Sequence, residues 1–291
     1  MDNKFSKSWI NMRMEYDYNA RSNILLKYLK KNQCASDPEI IDMCCGSGSF
    51  LVWAIKNNLL FKKCILVDYD LKLLKSIKSN LRRYIPNNFK IKSNTNNMNL
   101  FLEKDNSITS SVLIKKCEYD KFNYKTKNFH IISYSAVLDL MSKSSIIEAL
   151  KRINNINILY FSLCFTGIVK WTPTNTFDKY ILSFFNNHQR NNKGFGGAAL
   201  GYKSIEFVKK RAAKQDMNFI IKNSPWIILN NSQNNKKFMI RYVLDVKKAL
   251  FNMEDIDREI LKKWYLNKRD DIENKIVKLY IGHQDILISK K

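Results

Sequence analysis

The sequence predicts a doubly wound α/β fold around a parallel sheet, and three observations carry that expectation. A short apolar run, Ile40-Ile41, ends in Asp42 and passes through Met43-Cys44-Cys45-Gly46-Ser47-Gly48 into a helical apolar pattern at Phe50, Leu51, Ala54 and Ile55. That is strand, tight turn, helix. Further on, a second apolar run, Cys64-Ile65-Leu66-Val67, ends in Asp68. Strand-like runs then alternate with helical patterns as far as residue 165, which implies a sheet wound in both directions.

The elements follow in order. Residues 9–22 hold a dense polar cluster of Arg13, Glu15, Asp17 and Arg21, and Ile24, Leu25, Leu26, Tyr28 and Leu29 then suit a helix lying on the sheet. The cluster reads either as a solvated helix start or as a lid over a ligand. Asp70 is the expected N-cap of a helix bearing Leu71, Leu73, Leu74, Ile77 and Leu81, and Pro86 ends that unit. Phe89-Lys90-Ile91 is the expected third strand, and residues 105–127 a surface excursion. Residues 129–136 read as the fourth strand, 143–154 as a helix and 156–163 as the fifth strand. A helix over 176–187 delivers His188. Helices over 235–251 and 254–276 form an insertion before a closing strand at 277–288, whose expected neighbour is Phe219-Ile220-Ile221.

Composition bounds the function. A chain of 291 residues with 45% hydrophobic content can bury a large core as one elaborated domain. No apolar run approaches the roughly 18 residues of a membrane helix, and the start has no signal-peptide core. The six cysteines include no Cys-x-x-Cys pair, so no metal site is expected. These readings point to the cytoplasm. The net charge of +24 invites a nucleic-acid partner. The excess is mostly Lys, spread along an Asn-rich chain, so a compositional origin is the weightier reading.

Two stretches carry chemistry. Glycine at 46 and 48 lets a ligand approach the backbone where a Cβ would intrude. The amides opening the next helix add partial positive charge, and an acid ending the second strand holds ribose hydroxyls in doubly wound folds. A dinucleotide Gly-x-Gly-x-x-Gly loop fails, because its third glycine would fall at Leu51. The second stretch is Gly194-Phe195-Gly196-Gly197-Ala198-Ala199-Leu200-Gly201, which holds four of only eight glycines and follows His188-Gln189-Arg190 and Lys193. Such a cluster marks a backbone that turns sharply or meets a ligand.

The first stretch resembles the cofactor loop of class I S-adenosylmethionine (SAM)-dependent methyltransferases, roughly acid-Leu-Gly-Cys-Gly-Thr-Gly, with Cys44 in place of the first glycine. Separated segments look like one bacterial family within that class whose substrate is unassigned. Trp9, Arg13, Asp17, Ala20, Arg21 and Ser22 match its start, with the Glu shifted to Glu15. The run Ser135-Ala136-Val137-Leu138-Asp139-Leu140-Met141-Ser142 matches a second block. Gly167, Trp171 and Pro173, then Phe185-Asn186-Asn187-His188-Gln189-Arg190 and Lys193-Gly194-Phe195-Gly196, match a third, and Ser224-Pro225-Trp226 and Gly282-His283 with Asp285 are shared too.

The resemblance implies a Rossmann-like class I methyltransferase sheet with an N-terminal helical lid (1–35), a SAM-binding core (36–165), an acceptor-lid region with a late strand (166–235), and a helical insertion and closing strand (236–291). It implies SAM as cofactor, held by Asp42, Cys44, Gly46, Gly48 and Asp68, with Asn97 near the adenine, Ser133 beside the donor, and Arg13 or Arg21 on its carboxylate. Asp139 or His188 would take a proton from the acceptor. Arg190, Lys193, Gly194 and Phe195 would bind the acceptor, a small molecule. An RNA methyltransferase using the basic surface and a non-catalytic SAM-binding protein stay open as alternatives.

Overall fold

The apolar runs become strands of one sheet. The computed structural model describes residues 7–31, 38–94, 98–123 and 129–291. The elements are α1 (Lys7–Ala20), α2 (Asn23–Lys31), β1 (Glu39–Met43), α3 (Ser49–Lys56), β2 (Lys63–Asp68), α4 (Leu71–Leu74), α5 (Ile77–Tyr84), β3 (Phe89–Ser93), β4 (Asn99–Lys104), β5 (Ser107–Lys116) and β6 (Phe129–Ser135). There follow α6 (Lys143–Lys151), β7 (Ile158–Thr172), α7 (Asp178–His188), α8 (Ser204–Lys214), β8 (Asn218–Asn223), β9 (Trp226–Leu229), α9 (Gln233–Leu250), α10 (Arg258–Asn274) and β10 (Lys278–Ser289).

The sheet runs β3-β4-β5-β2-β1-β6-β7-β10-β8, with β9 paired to β10. The pairs among β5, β2, β1, β6 and β7 are parallel, and the others are antiparallel. The winding reverses at β1, between β2 and β6, so the carboxyl end of β1 is the switch point where such sheets bind ligands. Side-chain alternation explains the covering of both faces. Ile40, Cys64, Leu66, Ile131 and Tyr160 pack with α2, α3 and α5 on one face. Ile41, Ile65, Val67, Ile132 and Phe161 pack with α6 and α8 on the other.

β7 and β10 are 15 and 12 residues long and stay paired beyond the parallel core, Trp171 opposite Leu279. This extension joins β9, α7, α9 and α10 in a third apolar cluster that includes Trp226, Phe238, Val243, Leu261 and Trp264. The buried Lys268 donates to Asp178 Oδ2 at 2.9 Å, and Trp264 Nε1 donates to Asp178 Oδ1 at 2.9 Å. These bonds fix the first turn of α7 on α10. α1 bridges the clusters: Met14 packs in the first, while Trp9 stacks on Phe238 at 5.1 Å and the Tyr16 hydroxyl donates to Asn235 Oδ1 at 2.6 Å.

The structure corrects three expectations. Residues 107–116 are not part of a surface excursion: β5 lies parallel to β2, Cys64 opposite Val112 and Leu66 opposite Ile114. The Ser- and Thr-rich start of β5 hides it, because its burial begins only at Ser110. The third strand of the parallel set is therefore β5, while β3 is an antiparallel edge strand. The hairpin joining β4 to β5 turns at Asp105-Asn106, both at positive φ, as two-residue hairpin loops require. The expected helix over 71–81 is split into α4, capped by Asp70 at 2.8 Å, and α5. Helices α9 and α10 separate the late strands β8 and β10, which lie side by side.

One buried carboxylate joins these parts. Asp285 Oδ2 accepts from the Ser22 amide at 2.9 Å and the Tyr160 hydroxyl at 2.7 Å, and Oδ1 accepts from the Leu163 amide at 2.8 Å. Asp285→Ala strands three buried donors, each worth roughly 1–3 kcal/mol when unsatisfied. The expected loss of unfolding free energy in urea is at least about 3 kcal/mol, and a loss within error of zero would contradict this role.

Candidate functional site

A cavity of ≈ 410 Å³ opens at the carboxyl ends of β1, β2 and β6. The 44–47 turn and Ser49 line its base, Asp68, Tyr69 and Leu73 one side, Ile10, Arg13 and Asp17 of α1 another, and Lys193-Gly194-Phe195 a third. Gly46 has φ 55°, and a Cβ there would meet no protein atom within 4 Å. The turn thus leaves a space that a ligand can fill against its backbone. Cys44 takes φ 54° without being glycine. Ala136 and Leu163, on the neighbouring β6 and β7 paths, sit at 54° and 56°. Residues so held store on the order of 1–3 kcal/mol each and gather at functional sites.

Charge around this cavity is buried. Asp68 Oδ2 accepts from the Gly46 amide at 2.8 Å and Oδ1 from the Asp70 amide at 2.9 Å. Burial pushes its pKa up, and its oxygens retain lone pairs for a ligand's hydroxyls. The Arg21 guanidinium lies behind the wall, donating to Ser49 Oγ at 2.9 Å, Ser135 Oγ at 3.1 Å and Ser162 Oγ at 3.3 Å. Ser49 and Ser135 line the cavity; Arg21 does not. Arg13 does, but it forks onto Asp17 at 3.0–3.1 Å. Asp42 is fully buried below the turn, and the Ser133 hydroxyl lies beside it without completing a hydrogen bond. Burial pushes the Asp42 carboxyl up to about 7, against the opposing pull of Ser133 and Arg21.

A second cavity of ≈ 470 Å³ shares Arg13, Ala136, Leu140 and Lys193 with the first. Its walls come from α1, β7, α7, β9, α9 and β10. Asp139 opens on it from the turn after β6. Burial pushes its carboxyl up to about 6, while its own amide and that of Phe165 donate to it and hold the rise back. Lys193 Nζ lies 3.5 Å from His188 Nδ1. Burial pushes both groups down; Lys193 lowers His188 further, and Asp139 partly restores Lys193. Burial also drives His283 down to about 3, so its imidazole is neutral. Its Nδ1 and the Trp226 indole N–H have no partner among the described residues, and Arg13 covers the Trp226 ring at 4.9 Å.

Of the residues expected from sequence, Cys44, Gly46, Asp68, Arg13, Lys193, Gly194 and Phe195 meet at the first cavity, and Arg13, Asp139, His188 and Lys193 at the second. Several expectations are corrected. Gly194 and Phe195 line the first cavity and not the second, because Phe195 O is clamped by Ser145 Oγ at 2.7 Å at the start of α6. A Cβ on Gly196 would press on that hydroxyl at 3.0 Å, which explains the glycine. Arg190 is exposed, packs along Gly201 and lines neither cavity. Ser133 sits one pleat too deep, and Ser135 takes its place at the wall. Gly48 caps α3 and Asp42 supports the turn from below, neither lining the cavity. Asn97 lies outside the described residues. Ser135, which like Ser133 and Asp139 ends or follows the fourth strand and so was expected to face the site, does line the first cavity, whereas sequence reasoning missed Ser49, Trp226 and His283 as wall residues, although the last two lie in the blocks that carry the resemblance.

No family model matches the chain, and no curated protein does. Solved structures match over most of the chain at low identity. The YcgJ protein of Bacillus subtilis is 11% identical with a TM-score of 0.46, over 92% of this chain and 97% of that one. The plantazolicin methyltransferase BpumL in complex with SAH is 10% identical with a TM-score of 0.46, over 98% and 88%. The cyclopropane synthase MmaA2 of Mycobacterium tuberculosis is 10% identical with a TM-score of 0.47, over 99% and 95%.

The buried Asp42 makes a prediction about pH. Its folded pKa of about 7 lies above the usual 3.8, so the folded state holds the proton more tightly. The stability from this group is full below pH 3.8 and is lost as pH rises through about 7. A shift of this size corresponds to on the order of 4 kcal/mol. Asp42→Asn should therefore match wild type at acid pH and be the more stable protein at pH 8. Denaturant midpoints for both at pH 5 and pH 8 measure this, and an equal difference at both pH values would refute it.

Proposed function

We propose that this chain is a SAM-dependent methyltransferase with a small-molecule acceptor, the donor in the first cavity and the acceptor in the second. The observation that carries this reading is that two cavities meet at Arg13, Ala136, Leu140 and Lys193, beside the switch point of the sheet. The first cavity fits SAM. The space against Gly46 admits a backbone-hugging ligand. Asp68 suits the ribose hydroxyls, and Tyr69 and Leu73 give an adjoining apolar flank for the adenine. Ser49 and Ser135, backed by the Arg21 cation, suit the carboxylate. Arg21 thus acts from behind, while Arg13 is already committed to Asp17.

When bound, SAM supplies a methyl on a sulfonium, already activated for transfer. The protein then has to hold the nucleophile in line, keep water out and take one proton. α1 crosses both cavities and its Trp9 and Tyr16 anchors on α9 hold it there. Asp139, with a pKa of about 6, is mostly ionised at neutral pH and stands where an acceptor O–H or N–H would shed its proton. His188 is neutral and partnered by Lys193, so it suits a second acceptor of that proton. The closed position of α1 favours a small molecule over an RNA strand.

Two outcomes test this reading. Gly46→Val should abolish SAH binding in calorimetry while leaving the circular dichroism spectrum intact; unchanged affinity would sink the donor site. Once an acceptor is found, Asp139→Asn should lower turnover by about a hundredfold or more, with SAH affinity unchanged. The wild-type kcat/KM should fall below about pH 6 and the variant should lack that limb. An unaltered profile would remove Asp139 from the proton transfer.

A further inference from the structure

The second cavity narrows the acceptor further than its size does. We propose that the acceptor is an uncharged, planar aromatic small molecule bearing a hydroxyl or amino nucleophile, its ring held among Trp9, Phe165, Phe185, Trp226 and Tyr242 and its nucleophile turned to Asp139. This rests on the methyltransferase reading of the same site. Five aromatic side chains come to this wall from α1, β7, α7, β9 and α9. They already meet one another edge to face, Trp9 with Trp226 at 6.5 Å and Phe165 with Phe185 at 6.0 Å. A further planar ring extends that packing, and such ring pairs stabilise beyond the area they bury.

Charge argues for a neutral ligand. Arg13 is forked onto Asp17, and Arg241 Nε is held by both oxygens of Asp245 at 2.7–2.9 Å. Lys193 and Asp139 offset one another, and both histidines are neutral. An anion would have to share a guanidinium with Asp17 or Asp245. A cation would find the Trp226 face already taken by Arg13 and no spare carboxylate except the base itself. Burying either charge unpaired is strongly unfavourable. The unpartnered Trp226 N–H and His283 Nδ1 favour a ring that also carries a heteroatom.

Lys193, at the junction, and Asp139 and His188 are among the polar groups of the wall, and Lys193 also lines the first cavity. With the ring among the aromatics, the nucleophile reaches that junction. Its proton passes to the Asp139 carboxylate as its bond to the methyl forms and the sulfur–methyl bond breaks, leaving a neutral thioether.

Saturation-transfer NMR on the wild-type protein without SAM tests the ligand class. The probes are 2-naphthol and 8-aminoquinoline, which are uncharged, 2-naphthoate as anion and benzyltrimethylammonium as cation. The uncharged probes should bind at least about tenfold more tightly than either ion. Phe185→Ala, on a half-buried position, and Trp226→Ala should each weaken them by about three- to tenfold, with circular dichroism confirming the fold. Three results would each overturn the proposal: an ion binding as well as the naphthol, no uncharged probe binding at its solubility limit, or binding untouched in Phe185→Ala. SAH calorimetry on the same samples stands apart. If SAH fails to bind while the aromatic probes bind as expected, the donor reading falls and the aromatic site stands.

Discussion

The arrangement depends on the Asp285 carboxylate. It is fully buried on β10, and three donors converge on it, one from the α1–α2 junction and two from β7. The Ser22 amide fixes where α1 ends and α2 begins. The Leu163 amide fixes the irregularity at which β7 leaves its parallel partner β6 and continues with β10. Arg21 precedes Ser22, so the same bond sets its guanidinium among Ser49, Ser135 and Ser162. The α1–α2 junction, the bend in the wall and the cation behind the first cavity thus share one anchor. A carboxylate taken out of water is tolerable only when its oxygens are satisfied this completely.

A second consequence of depth is the spread of ionisation around the two cavities. Burial is the first cause of every shift there, raising Asp42, Asp68 and Asp139 and lowering His188, Lys193 and His283. The effect brings an acid up and a base down toward the same pH range, which suits proton transfer at neutral pH. Backbone strain follows the same geography. Cys44, Ala136 and Leu163 are all left-handed, lie on the adjacent β1, β6 and β7 paths, and line one or both cavities. A cysteine at 44 tolerates what glycine would adopt freely, so the turn keeps its shape with a different residue.

The sheet was legible where both faces are buried. Ile40-Ile41 and Cys64-Ile65-Leu66-Val67 are apolar runs each closed by an acid, and each becomes a central parallel strand. β5 was not legible, because Ser107, Thr109 and Ser111 give its first half the look of a loop and only its pairing with β4 and β2 makes it a strand. The turn at Gly46 could be read from its glycines, since the reason for them is local. The second cavity could not. His188, Asp139 and Trp226 meet only because α7 is tied to α10 through Asp178, Lys268 and Trp264, and because β7 and β10 run on past the core. Arg190 shows the converse: it stands two residues from His188 in the most distinctive block of the chain, yet it faces solvent.

The net charge of +24 fits this division between surface and site. In and behind the two cavities the cations are accounted for: Arg13 by Asp17, Arg241 by Asp245, Lys193 by Asp139 and His188, and Arg21, behind the wall, by hydroxyls. A site evolved around a polyanion would leave guanidinium forks open toward the ligand, since phosphate binding depends on them. Here the Arg13 guanidinium forks onto Asp17 and the Arg241 Nε is held by Asp245, four residues apart in each case. Their remaining surface is stacking area, as with Arg13 over Trp226. In the second cavity, then, the arginines shape an aromatic slot. The basic character of the chain resides elsewhere on its surface, apart from the chemistry of the site.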